Sequence, residues 1–330
     1  MKAVVARELG PPDTLRIEDL PSRSPGPGEL RAAVHYAGVS FVDVLTARGG
    51  YQVKPPTPFV PGSEFSGVVL EVGEGVSGFA PGDRVAGSNF GGVFAEEIVF
   101  AAASASRVPD NADMAEASVL RASFLTAVYA LRNRAQVKPG ETVLVLGAGG
   151  AVGVAAVQVA KVYGASVIAS ASSEAKRQLA KANGADHVVD SGAEDWRDQI
   201  KTLTGGTGVD VVVDPLGDKH TERAFRSLAW NGRLLVIGFA AGEIPRLPTN
   251  LSIVKGASLI GVELRGFVNR DPEGYKVVGE EVARLFAAGA IHAPVARTFP
   301  LEDFAAAMDA AASGESAGRI VLRMAAAGGG

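Results

Sequence analysis

The chain contains no cysteine, which excludes disulfide bonds and thiolate metal ligands together. Histidine is nearly as scarce. His35, His187, His220 and His292 lie far apart and in no ligand spacing, so each reads as exposed or structurally hydrogen-bonded, and no metal is expected. Charge of one sign is lacking too: the net charge is −4 over 330 residues and no basic block occurs. Nucleic acid is therefore not an expected partner. Long apolar runs are missing at the start, where Met1-Lys2 is followed closely by Arg7-Glu8, so no secretory signal is expected. Residues 143–160 carry no charge, but a glycine cluster and Gln158 interrupt them and Lys161 follows. That pattern is not a membrane span. These absences together favour a cytoplasmic address.

An apolar content of 47% over this length allows two cores, and two domains are expected. Residues 1–122 are rich in β signals and turns. Apolar runs at 30–36, 67–72, 84–86 and 97–100 are separated by Pro/Gly punctuation. From Ser123 the rhythm changes. Apolar strands at 142–146, 166–169, 209–213, 233–237 and 258–262 alternate with helical stretches, the signature of a doubly wound parallel sheet. A helix around 277–288 and a strand at 319–322 close the chain. The expected division is 1–122, 123–264 and a C-terminal return, 265–330, with a frayed small-residue tail at 325–330.

The segment Val143-Leu144-Val145-Leu146-Gly147-Ala148-Gly149-Gly150-Ala151-Val152-Gly153 carries the most chemistry. It reads as a buried strand, a small-residue turn and a helix start. Such a turn lets backbone N–H groups approach a pyrophosphate at a helix N-terminus. Its spacing is Ala148-x-Gly150-x-x-Gly153, with alanine at the first glycine position of the dinucleotide fingerprint. The following segment, 152–163, has a helical apolar pattern through Val154, Val157, Val159 and Val162. At the end of the second strand, Ser170-Ala171-Ser172-Ser173-Glu174-Ala175-Lys176-Arg177 offers no acidic residue where NAD-preferring sites hold the ribose hydroxyls. Ser172, Ser173 and Lys176 suit a 2′-phosphate instead, so NADPH is the expected cofactor. The alternative for Lys176 is a solvated helix lysine.

Several ordered motifs add to this. They are Pro61-Gly62-Ser63-Glu64-Phe65-Ser66-Gly67, Gly78-Phe79-Ala80-Pro81-Gly82-Asp83-Arg84-Val85, the turn at 147–153, Gly205-Gly206-Thr207-Gly208-Val209-Asp210, and Asn231-Gly232-Arg233-Leu234-Leu235-Val236-Ile237-Gly238-Phe239. Together they resemble the medium-chain dehydrogenase/reductase superfamily over almost the whole chain. The run Gly238-Phe239-Ala240-Ala241-Gly242-Glu243-Ile244-Pro245 is most similar to its zinc-independent NADPH:quinone oxidoreductases. The resemblance implies an α/β fold, with a Rossmann doubly wound parallel sheet joined to a GroES-like β-barrel domain.

Zinc-dependent members of that superfamily place cysteine after Gly38-Val39 and histidine after Gly62. Here Ser40 and Ser63 stand there, and neither replaces thiolate or imidazole as a strong ligand. Without a Lewis acid, the fitting acceptor spreads incoming charge through its own conjugated carbonyls. A quinone is the leading substrate class. An enone or enoyl thioester is the alternative, and a low-turnover NADPH-binding sensor is a third reading.

The resemblance also assigns residues. Thr126 matches a threonine near the nicotinamide; Gly150, Ala151 and Val152 match the pyrophosphate turn. Gly238 and Phe239 match the far side of the cofactor site, and Arg319 a basic position near the phosphates. For Thr126 and Phe239 ordinary packing is the competing reading. Ser40 stands where relatives commonly have asparagine and is taken as a catalytic candidate. Tyr51 matches the proton-donating tyrosine of enoyl-thioester reductases; it either donates a proton or stacks on the substrate. Asp43 is read as fixing its loop, and Glu64 as structural. A homodimer with a continuous sheet is expected by the same analogy.

Overall fold

The structure is a computed structural model that describes residues 1–325; of the tail expected at 325–330, all but Ala325 lies outside the described residues. The chain divides into two compact units, 1–122 with 292–330, and 123–291.

The second unit is built on a six-stranded, wholly parallel sheet. Its strands run in the order His187–Asp190, Ser166–Ala171, Thr142–Leu146, Val209–Asp214, Leu228–Val236 and Ser258–Gly261. Counted along the unit, this is the 3-2-1-4-5-6 order of a Rossmann sheet. Parallel strands covered on both faces need continuous apolar side chains. Val143, Leu144, Val145 and Leu146 meet that need, as do Val211, Val212 and Val213, all at most 1% exposed. The core includes Ile168, Val189, Trp196, Ile200, Phe225, Leu228 and Leu234. Trp196 satisfies its one polar atom by donating to Ser170 Oγ at 2.9 Å.

The first unit carries a seven-stranded sheet, mostly antiparallel. Its path is Val295–Pro300, Arg319–Arg323, Glu29–Val39, Glu64–Val72, Arg84–Ser88 and Ala105–Arg107, with Glu97–Ala101 also paired to Glu29–Val39. Phe65 and Phe100 meet edge to face at 4.8 Å in its core.

The expected return at 265 comes later, at His292. Residues 265–291 are held to the second unit by side chains distant in sequence. Phe267, on the helix Leu264–Arg270, stacks on Tyr129 with ring centroids 4.1 Å apart. On the helix Pro272–Ala287, Glu281 accepts from Tyr163 Oη at 2.8 Å and pairs with Arg132 at 2.5 Å. Tyr129 and Arg132 lie on a π-helical turn, Tyr129–Arg134.

Candidate active site

The strand Thr142–Leu146 is where the strand order of the second unit reverses, the place at which open α/β sheets bind ligands. Gly147 leaves this strand with φ +58°, a left-handed conformation open to glycine. Gly150 then caps the helix Ala151–Val162. Close packing explains why Gly153 lacks a side chain: a Cβ there would sit 2.2 Å from Gly147 O. The helix therefore lies directly on the turn, and the N–H groups of its first turn have no intrahelical acceptor. No acidic side chain occurs between Gly147 and Gly153, so the helix end offers an electropositive seat for a phosphate.

Lys176 is folded over the same turn. A Cβ on Gly149 would meet Lys176 Cβ and Cγ at 2.5 Å, so the lysine stem covers the glycine. Ser173 caps the helix Glu174–Ala182 and accepts from the Lys176 N–H at 3.4 Å. Glu174, the one nearby carboxylate on this loop, accepts from Gln178 Nε2 and from Arg177 Nε and Nη2. These bonds, first that from Gln178 and then that from Arg177, hold its carboxyl below the ordinary range. Arg177 also pairs with Asp190 at 3.0 Å. The Lys176 stem thus lies on the glycine turn, with Ser173 bonded to the Lys176 N–H, and Glu174 is turned back onto its own helix.

A second loop closes on the turn. Asp214, 1% exposed, accepts from the N–H groups of Leu216 and Gly217 and from Thr221 Oγ1. This shapes the segment 215–217, and Leu216 reaches to 2.9 Å from where a Cβ on Gly147 would be. Phe239, 41% exposed, lies against Gly217, while Gly238 faces Pro215 O. Thr126 is half-buried on the helix Arg121–Val128.

In the first unit, Ser40 caps the helix Phe41–Ala47 in a capping box with Asp43. Asp43 is 4% exposed, yet no cationic side chain faces it among its partners. Its carboxyl accepts from Ser40 N at 2.8 Å, Ser40 Oγ at 2.6 Å and Ser63 Oγ at 2.9 Å. Burial pushes this carboxyl above the ordinary range and nearby Glu64 adds to the shift, against the serine hydrogen bonds that favour the charged form. Glu64 is handled differently. It accepts from Ala122 N at 2.7 Å and from Arg319 Nη2 at 3.1 Å, with both side chains almost fully buried. The basic group of Arg319, expected near phosphates, enters this pair through Nη2. Tyr51 is half-buried in the irregular segment after the helix, and it is not among the hydrogen-bond partners of Ser40, Asp43 or Ser63. The joining of Ser40 to Ser63 through Asp43 was missed in the sequence. The spacing Ser40-x-x-Asp43 ahead of an apolar helix signals the box, but nothing local signals Ser63.

Zinc does not fit this cluster. Both hydroxyls are bound to Asp43, and no thiolate or imidazole accompanies them. Among the described residues, no group of three or more His, Cys, Asp or Glu is arranged for a metal ion. A dinucleotide does fit the second unit, where Gly153 lets the helix pack directly on the turn while Gly150 is exposed and Ala151 and Val152 are half-buried.

A Rossmann unit of this order and a GroES-like unit in one chain define a dehydrogenase/reductase with a nicotinamide cofactor. The profile described as zinc-binding dehydrogenase matches residues 151–280, and that of the alcohol dehydrogenase GroES-like domain matches 26–110. The chain is 38% identical over 324 residues to quinone oxidoreductase-like protein 2 of Mus musculus, covering 98% of this chain and 92% of the relative. Among solved structures, a mycobacterial protein complexed with NADPH superposes with a TM-score of 0.89 at 33% identity, over 98% of this chain and 100% of that one. The CurK enoyl reductase superposes with a TM-score of 0.88 at 28% identity, covering 98% and 99%. The chain belongs to the medium-chain dehydrogenase/reductase family, with relatives among its quinone oxidoreductases, and is an oxidoreductase.

Proposed function

We propose that the protein is a zinc-free, NADPH-dependent reductase of quinones. The observation that carries this reading is the Ser40–Asp43–Ser63 cluster, in which hydroxyls bound to a buried carboxylate occupy the positions of metal ligands in zinc-dependent relatives. An acceptor reduced beside such a cluster has to delocalise the incoming negative charge itself, as a quinone does. When bound, the nicotinamide supplies the hydride. The chain's residues do the positioning. Gly150, whose own N–H donates to Gly147 O at 2.9 Å, and the N–H groups of Ala151 and Val152 line the pyrophosphate. Ser172, Ser173 and Lys176 hold the 2′-phosphate, at a strand end whose carboxylate, Glu174, is engaged elsewhere. Thr126, Gly238 and Phe239 hold the nicotinamide end, and Tyr51 lies against the acceptor. Arg319 holds Glu64 through Nη2 and, with its remaining donors, is kept in the cofactor set near the phosphates.

The likeness to an enoyl reductase supports a second reading, reduction of enones or enoyl thioesters with Tyr51 as proton donor. NADPH oxidation, measured with chelator present against matched quinones and enoyl thioesters, separates the two. Faster turnover of quinones is the expected result. Faster turnover of enoyl thioesters, falling about a hundredfold in Tyr51→Phe, would establish the second reading. Tight NADPH binding with no turnover of either class would point to a sensor.

We also infer a homodimer. The strand Ser258–Gly261 ends the parallel sheet, and Leu259 on it is exposed, as are Trp230, Ile253 and Val254 on neighbouring elements. A second copy covering this edge would bury those side chains and pair the open strand. Sedimentation equilibrium should give twice the 33.8 kDa chain mass; a monomer mass refutes it.

A further inference from the structure

The hydrogens in the serine cluster are accounted for one by one. The Ser40 N–H can only donate, and it donates to Asp43 Oδ2 at 2.8 Å. Ser40 Oγ donates to the same oxygen at 2.6 Å and accepts from the Asp43 N–H at 3.3 Å. Ser63 Oγ donates to the other oxygen, Oδ1, at 2.9 Å. A hydroxyl has one hydrogen and two lone pairs. Both hydroxyl hydrogens are therefore used on Asp43, and the serine oxygens keep lone pairs only. Both serines remain partly accessible while Asp43 is buried, so a ligand approaching this cluster meets the serines before the carboxylate.

We propose that Asp43 is a specificity-determining positioning residue. By turning both serine hydroxyls toward itself, it makes Ser40 and Ser63 a pair of hydrogen-bond acceptors that selects acceptor substrates carrying a hydroxyl donor beside the reducible carbonyl. This rests on the quinone-reductase reading for its substrate frame. It makes Ser40, taken as a catalytic candidate, a hydrogen-bond acceptor toward the ligand. A carbonyl or developing oxyanion is repelled by such a pair, whereas a hydroxyl substituent on the same ring is bound.

The experiment compares hydroxymethyl-p-benzoquinone with its methyl ether, which has the same redox core but no donor. The wild-type protein should favour the alcohol by about threefold to tenfold in kcat/KM, the range one hydrogen bond supplies. In Asp43→Asn, the amide oxygen has to stay on the Ser40 side, where two donors point. The amide N–H₂ then faces Ser63 and donates to it, which frees the Ser63 hydrogen. The preference should vanish or reverse. Ser63→Ala removes one acceptor, leaves the capping box of Ser40 intact and should roughly halve the preference or more; it carries the test if Asp43→Asn does not fold. The same comparison is made without turnover, by NMR titration of hydroxymethylnaphthalene against methoxymethylnaphthalene. An alcohol preference in that titration that is lost in the variants supports the proposal even where no quinone is reduced, a result that would overturn only the quinone reading. Equal binding of the two naphthalenes, or a preference unchanged in both variants, overturns the proposal.

Discussion

The glycine turn of the second unit and the serine cluster of the first solve opposite problems. At the turn, side chains are absent so that neighbours can pack closely and leave a bare helix end: a Cβ on Gly153 would overlap Gly147 O, and Lys176 lies where one on Gly149 would go. In the cluster, side chains do everything, and a buried carboxylate without a cationic partner organises two hydroxyls. A backbone site tolerates almost no added atoms but is indifferent to side-chain chemistry. A side-chain site tolerates changes in size better than changes in which atom holds the hydrogen. Glu64, buried close by with Arg319 as counter-charge, marks the contrast within one unit: an ion pair fixes structure, whereas hydroxyl partners leave lone pairs to offer a ligand.

The sharpest way to break the comparison is Gly153→Ala. The added methyl group would meet Gly147 O at 2.2 Å, closer than any real contact, so the helix Ala151–Val162 has to move off the turn. A loss of about 3 kcal/mol in stability is expected, together with at least about tenfold weaker NADPH binding as the helix N-terminus withdraws. Urea unfolding and a fluorescence titration measure both. Wild-type behaviour in each would mean that the turn is not the rigid seat described.

Lys176→Ala tests whether the one charged side chain at the turn adds selectivity to a backbone site. Its stem covers Gly149, and the charge-assisted contact it would make to a 2′-phosphate is worth about tenfold in affinity. NADPH should bind on the order of tenfold more weakly, with NADH unchanged. An equal loss for both cofactors would reduce Lys176 to a general electrostatic contribution, and no loss for either would make it a solvated helix lysine.

These two sites were unequally legible in the sequence. The turn is local: Gly147 to Gly153 lie in one run, and the apolar strand before it and the periodic helix after it announce their own conformations. Most strands of both sheets were visible for the same reason. The cluster depends on Ser63, which is 20 positions from Asp43, and the partner of Glu64 is 255 positions away. Hydrogen bonds between such residues leave no periodicity to read. The return at His292 was misplaced for a related reason: Phe267 and Glu281 are fixed by Tyr129, Arg132 and Tyr163, contacts that no local propensity encodes. Sequence chemistry did expose one fact about the cluster without its geometry, since serine at positions 40 and 63 is a poor zinc donor wherever it points.

The smallest effect sharpens the comparison within the cluster itself, by setting Ser40→Ala beside Ser63→Ala. Both remove one hydroxyl donor from Asp43, but Ser40 is also the N-cap of the helix Phe41–Ala47, accepting from the Asp43 N–H. Loss of that cap should cost about 1 kcal/mol in addition to whatever the lost donor costs. Ser63 caps nothing in this way, so Ser63→Ala should be the more stable of the two by about that margin. Thermal and urea unfolding of both variants measures the difference. If the two are equally stable, the capping hydrogen bond at 3.3 Å adds nothing to stability, and Ser40 and Ser63 are equivalent partners of Asp43. If Ser63→Ala is the less stable, the carboxylate depends on its single bond through Oδ1 more than on the two donors that share Oδ2, and the organising side of the cluster is the Ser63 side.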